Sequence, residues 1–236
     1  LLYLDSFDRT TLAALPSPKP SAFAEAVAWF RARVPVNPNT YRELTDRVRR
    51  RAFTVARATA LETLAHVWRA LDRAVAQGTT FTEFKRGVQN DLAQHTRAQL
   101  DNVFRNNVQV AYSAGRYAQS TDPLTLADRP FWRFEAILDS RTTPICRPLD
   151  GLTLPASDPF WRVNYPPLHH SCRSGVTCLT EEDAAHERFT SVPPDAHGPQ
   201  QGWGAAPGTD EWAPDPQSYP APLWNAYQQW GERMPR

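Results

Sequence analysis

The 35 residues from Asp139 to Arg173 do not have a helical composition, and they require the helices of this chain to end before them. They run Asp-Ser-Arg-Thr-Thr-Pro-Ile-Cys, then a Leu-Asp-Gly turn, then Asp-Pro-Phe-Trp and Pro-Pro-Leu-His-His-Ser-Cys-Arg. Each proline fixes φ and removes an amide donor, so turns and short extended pieces are expected. Two of the three cysteines and two of the six histidines lie in this stretch. A small, tightly folded unit, with or without a metal, suits that composition better than an amphipathic helix.

The rest of the chain sets the bounds. With 236 residues, it can bury a real core as one large domain or two small ones. Its 41% hydrophobic and 22% charged residues are ordinary for a soluble globular protein. Its 22 prolines against 10 glycines point to stiff, extended connections. No apolar run approaches the length of a membrane-spanning helix, and no intact signal peptide is visible. The first residue is Leu, as expected of a processed or truncated start. Cysteines at 146, 172 and 178 do not make a disulfide scaffold, which leaves a reducing compartment or a metal.

The net charge of +1 conceals an asymmetry. Eight arginines lie between Arg31 and Arg57, and eight acids lie between Glu181 and Asp215. Such ends suit different partners, or attraction between copies. Arg47, Arg49, Arg50 and Arg51 form the densest basic cluster, a candidate for DNA phosphates, with a solvated helix face as the plain alternative.

An α+β organisation follows from the periodicities. Residues 1–20 read as an entry segment and 21–119 as a helical domain with long helices. Ser21 would cap a first helix carrying Phe23, Val27, Phe30 and Val34, stopped by Pro35 and Pro38. A second helix is expected from Asn39 or Thr40 to Gln77, roughly 55 Å long, ending at Gly78. Thr80 with Glu83 signals a third, and Thr96 to Gln119 a fourth. The period changes at Pro130. Residues 131–138, Leu152–Leu154 and Gly175–Leu179 read as short strands of a small β-containing subdomain spanning 120–180. Asp150-Gly151 signals a hairpin turn between Leu149 and Leu152–Leu154, and Phe160, Trp161 and Tyr165 supply a small core. An extended Pro- and Trp-rich arm, 181–236, follows. Its Trp203, Trp212, Trp224 and Trp230 would dock on a partner or fold back on the chain.

Cys146, His169, Cys172 and Cys178 make a Cys3His set of the kind tetrahedral zinc accepts, and zinc would help a loop-rich unit fold. His170 and Asp139 are alternative ligands, and ordinary buried thiols are the plain reading. Cys146 or Cys172 with His169, oriented by Asp150 or Asp139, could instead be nucleophile and base. The chain has no phosphate-binding glycine loop, His-Glu-x-x-His or Gly-x-Ser-x-Gly, so a non-enzyme is expected.

The order of these blocks resembles a known family. Asn106-Asn107-Val108-Gln109-Val110-Ala111-Tyr112-Ser113-Ala114-Gly115-Arg116-Tyr117 is followed by Phe131-Trp132 and then by the 139–173 segment. An Ala-Tyr-x-x-Gly-Arg helix end, an aromatic strand into Asp-x-Arg-Thr, a Leu-x-Gly turn, Asp-Pro-Phe-Trp and a Pro-Pro before Cys-Arg are similar to the phage Mu F-like minor head proteins. That is the head-morphogenesis family that includes the SPP1-type protein. The chain departs from it where Ser174 replaces the second cysteine of Cys-Arg-Cys and Thr143 the first of Cys-x-x-Cys. The resemblance implies a structural virion protein in several copies inside a tailed-phage head near the portal vertex, and in the host cytoplasm during assembly. Its implied partners are the portal protein, capsid or scaffold proteins and double-stranded DNA, and its implied roles are head assembly and genome packaging or ejection. A zinc-dependent nuclease or an effector-delivery module is the alternative.

Overall fold

The structure is a computed structural model that describes residues 23–36, 38–44, 49, 52–58, 60–187 and 189–207. It opens with α1, Ala24–Arg31, whose buried face is Ala26, Val27, Trp29 and Phe30. Phe23 holds the cap position without a side-chain bond, and Ser21 lies outside the described residues. The chain then extends into β1, Val34–Pro35, instead of continuing the helix.

The single helix expected from 39 or 40 to 77 is interrupted, and three elements of this span are described besides a helical Arg49. They are α2, Pro38–Glu43; β2, Ala52–Phe53; and α3, Leu61–Gln77. β2 pairs in parallel with β1, with Val34 opposite Ala52 and Pro35 opposite Phe53. The physical reason lies in burial. Ala52, Phe53, Val55 and Ala58 are all inside, and adjacent inward residues fit an extended chain between two surfaces better than one helix stripe. Arg57, at φ 66°, then interrupts any helical run. The reach of α3 is about 25 Å.

The helices that follow α3 obey their cap signals. Thr80 and Glu83 form a reciprocal capping box on α4, Phe81–Val88, and Thr96 with Gln99 does the same on α5, Arg97–Ser120. Asp122 caps α6, Pro123–Asp128, with proline in the first turn. Leu64, Val67, Trp68, Leu71 and Val75 of α3 join α1, α4 and α5 in one helical core, where Phe30 stacks on Trp68 at 5.3 Å.

α1 crosses α5 at Gly115, where an added Cβ would lie 2.8 Å from both the Ala26 backbone nitrogen and the Phe23 ring. Gly115→Ala is therefore expected to destabilise the protein by about 1–2 kcal/mol in urea unfolding. The overpacking exceeds the helix propensity that alanine adds.

Beyond α6 the chain forms a three-stranded antiparallel sheet in the order β4-β3-β5. Its strands are β3, Phe131–Glu135; β4, Thr153–Pro155; and β5, Gly175–Leu179. Alternation on β3 turns Trp132 and Phe134 inward. The Asp150-Gly151 turn is not the expected hairpin. Arg147–Leu149 is a 3₁₀ turn, Gly151 takes φ 78°, and β4 finds its partner in β3. Trp161 of α7, Phe160–Asn164, joins Trp132 and Tyr165 in a second core. α8, Glu181–Ala185, is capped by Thr180.

The segment after α8 lies back on both cores. Thr153 donates to the Phe189 carbonyl, Gln200 to that of Leu168 and Ala206 to that of Arg162. Trp203, expected as a docking anchor, is 9% exposed and packs in the helical core, because a large apolar ring there removes water from Val55 and α5. Trp212, Trp224 and Trp230 lie outside the described residues. No described helix is long and apolar enough to cross a membrane.

Candidate metal centre

Two turns meet beside the second core. Cys146 leads into the 3₁₀ turn, and His169 and Cys172 follow the cis Pro166-Pro167 bond on the way to β5. Their ligand atoms all lie within 4.8 Å of one another. Cys146 Sγ is 3.3 Å from His169 Nε2 and 3.7 Å from Cys172 Sγ, a separation that leaves both thiols free of a disulfide.

The fourth expected ligand is elsewhere. Cys178 sits on β5 and donates its thiol to Ser120 Oγ at 3.2 Å, outside the group. Thr143 and Ser174 stand at the group instead: Thr143 Oγ1 is 3.0 Å from His169 Nε2, and Ser174 bonds to Cys146. Asp139 and Asp150 do not orient His169. A void of about 10 Å³ bordered by Thr143, Cys146, His169 and Ser174 has room for a single water-sized group.

The histidine's orientation is fixed. Its Nδ1 lies 2.8 Å from the His170 carbonyl, which only accepts, so Nδ1 carries the hydrogen and Nε2 faces the sulfurs. A hydrogen bond to Cys146, then His169 and the backbone at Leu168 and Ser174, pulls the Cys172 thiol down against the cost of burial. The same Cys172 bond, with burial, pushes Cys146 up, and Cys172 raises His169.

The turn bearing these ligands is held from α5, a role that sequence reading missed. Ser171 adopts φ 58°, a left-handed conformation that serine rarely takes. Asn106 Oδ1 accepts its amide at 2.6 Å and Asn102 Oδ1 its hydroxyl at 3.2 Å, while Asn106 Nδ2 lies 3.1 Å from His170 Nδ1. Ser113 adds a bond to the Pro166 carbonyl. Asparagines a turn apart on one helix face were the available signal.

The two turns are also tied by charge. Arg141, the sequence neighbour of Asp139, makes the looser ion pair with it, at 3.9 Å. Arg173 makes the bidentate pair, at 2.6 and 2.8 Å. That guanidinium, then the Arg141 amide, holds the Asp139 carboxyl well below the usual carboxylate range. A carboxyl depressed by folding stabilises fully above its unfolded pKa and loses that contribution as pH falls through the folded value. Asp139→Asn is therefore expected to lower the urea midpoint at pH 7. The gap from the parent should narrow as pH falls below about 4.

Of the basic and aromatic candidates, Arg49 and Trp203 are described. Arg49 lies over Tyr41, 5.6 Å from ring centroid to guanidinium carbon, and donates to the carbonyls of Tyr41 and Arg42. Arg47, Arg50 and Arg51 lie outside the described residues.

Fold and group together define a helix-scaffolded α+β protein whose closing knot gathers two cysteines and a histidine. Residues 65–177, from α3 through the knot into β5, match the family described as Phage Mu protein F like protein. It is 33% identical over 178 residues, 66% of its length, to protein F of Escherichia phage Mu, to which a role in capsid assembly is ascribed. It is 32% identical over 160 residues, 61% of its length, to the Mu-like prophage FluMu F protein of Haemophilus influenzae. The matches cover 40% and 38% of those proteins, so the chain spans well under half of either. No solved structure matches it.

Proposed function

We propose that this chain is a minor head protein of a tailed phage, built into the head during assembly and acting inside it at the portal vertex. The Mu F-like domain over 65–177, shared with a protein to which capsid assembly is ascribed, carries the reading. Its partners in this reading are the portal, neighbouring capsid or scaffold chains and packaged DNA, with several copies per particle. Burial favours an architectural use of the Cys/His group over a catalytic one. Cys146 and Cys172 are 2% and 3% exposed, closed to any substrate larger than water.

Zinc is the metal we propose for that group. Tetrahedral zinc with Zn–S bonds of about 2.3 Å sets two sulfurs roughly 3.8 Å apart and a sulfur and imidazole nitrogen roughly 3.6 Å apart. The distances here are 3.7 and 3.3 Å. Cys146, Cys172 and His169 Nε2 would hold the ion, with a water or a hydroxyl from Thr143 or Ser174 completing the set. By the resemblance drawn above, Thr143 and Ser174 stand at positions where members of the family commonly carry further cysteines. Zinc would supply cohesion between the two turns.

Purified particles test the assembly reading. The chain is expected in mature heads at a low fixed copy number, co-purifying with the portal, and its absence from heads and from assembly intermediates would overturn it. DNA retention by the isolated chain should fall steeply with salt and with charge reversal at Arg47, Arg49, Arg50 and Arg51; indifference to both removes DNA from the proposed partners.

A further inference from the structure

The three-stranded sheet has two edges, and the returning chain covers one of them. On the β4 side, the Thr153 amide donates to the Phe189 carbonyl at 2.8 Å. The β5 side has no such cover among the described residues, and a cleft of about 730 Å³ runs beside it. Val176, Thr177 and Cys178 form one wall of that cleft. The last turns of α5 form the other, together with Glu25 of α1.

The bonding of β3 decides which groups β5 leaves open. Phe134 donates to the Leu152 carbonyl and accepts from Gly151, and Pro130 accepts from Ala156, all on the β4 side. Backbone polar groups alternate in direction along an antiparallel strand, so Phe131, Arg133 and Glu135 serve β5. Their partners there are Leu179, Thr177 and Gly175. The amides and carbonyls of Val176 and Cys178 therefore point away from β3. Arg129 donates to one of them, the Cys178 carbonyl, at 3.4 Å. The Val176 amide and carbonyl and the Cys178 amide have no partner among the described residues. Such a row of open groups is a template for another strand, and natural edges are normally blunted by proline, lysine or a covering segment. β5, Gly-Val-Thr-Cys-Leu, carries neither residue.

The charges along the cleft suit a two-fold partner. Arg116 stands at the start of β5, its Nη1 3.5 Å from the place a Cβ on Gly175 would take. It forms no ion pair among the described residues. The acids lie toward the other end. Ser120, one turn further along α5, accepts from Cys178 at 3.2 Å, and Asp122 follows it. Glu25 accepts from Gln119 Nε2 at 3.3 Å. A second β5 laid antiparallel about Thr177 would set Val176 opposite Cys178 of the second copy, where their open groups can bond reciprocally. It would also set Arg116 against Glu25 and Asp122 of the second copy.

We propose that two copies of this chain pair through the β5 edge, antiparallel and centred on Thr177, into one continuous sheet across a two-fold axis. The contact does not depend on the assembly reading or on zinc. Strands this short make a small interface, so dissociation at about 10–100 µM is expected. Sedimentation velocity of the full chain over about 1–500 µM tests it, and a monomer–dimer equilibrium is expected in that range. Arg116→Glu and Glu25→Lys should each weaken the dimer about tenfold or more, since each sets like charges opposite one another. Mixing the two variants should restore it, because every charge pair across the axis then has opposite signs. Val176→Pro should abolish the dimer while β3 stays paired, since its ring removes an amide that only the second copy would use. If that variant fails to fold, the mixing experiment decides. A chain that stays monomeric throughout leaves the edge to a different protein and overturns the proposal. So does a dimer indifferent to Arg116→Glu and Glu25→Lys, or a mixture no tighter than its separate parts.

Discussion

Cys172→Ser is expected to emerge from expression with zinc far below one ion per chain, where the parent chain carries about one. Serine keeps the shape but offers no thiolate, and Cys172 Sγ lies within the group, 3.7 Å from Cys146 Sγ. Loss of an outer-shell partner typically reduces zinc affinity about 10–100-fold, and loss of a direct sulfur ligand should exceed that. The parent should melt lower after exposure to a strong chelator and recover on zinc addition, whereas Cys172→Ser should ignore both treatments. Cys178→Ser is the control. Its thiol serves Ser120 on the other side of β5, so zinc content should not change. A parent chain purified under mild conditions without zinc, with a chelator-indifferent melt, would reject the metal. Equal zinc loss in Cys178→Ser would reject this three-residue assignment.

The second large effect is expected at Trp132. Its ring is 2% exposed and is met edge-on by Tyr117 at 5.9 Å, Trp161 at 5.6 Å and Tyr165 at 5.5 Å. Trp132→Ala should cost about 3–5 kcal/mol in denaturant unfolding, a large share of the stability of an ordinary domain. Trp132→Phe should cost much less than the alanine change. The indole Nε1 is buried without a partner, so phenylalanine removes an unsatisfied donor while keeping most of the apolar surface. Equal costs for the two changes would show that the ring's shape, not its burial, carries the knot.

Local signals were legible and long-range ones were not. The capping box at Thr80, the helix start at Thr96 and the strand Gly175–Leu179 could be read directly, because each depends on residues within a few positions. The α+β class followed from the change of period at Pro130. The helix expected through residues 52–58 failed because stepping by three fits both a helix stripe and a buried extended segment. Only Val34 and Pro35, distant in sequence, choose between them. At the metal group, Cys146, His169 and Cys172 were identifiable by chemistry alone, but Cys178 was equally eligible until β5 turned it toward Ser120. Arg141 drew attention as Asp139's neighbour, while the better-placed Arg173 was hidden by distance along the chain. Asn102 and Asn106 looked like ordinary helix surface, since nothing local ties them to Ser171.

Among the described residues, α5 serves both larger cores and the turn that bears His169 and Cys172. Its first half lies in the helical core, Asn102 and Asn106 grip the ligand-bearing turn, Gly115 seats α1, and Tyr117 packs on Trp132 and Tyr165. The helical half and the knot therefore share one backbone ladder and should open together in a single cooperative step. In the head proposed above, such a component would have no weaker half to yield first.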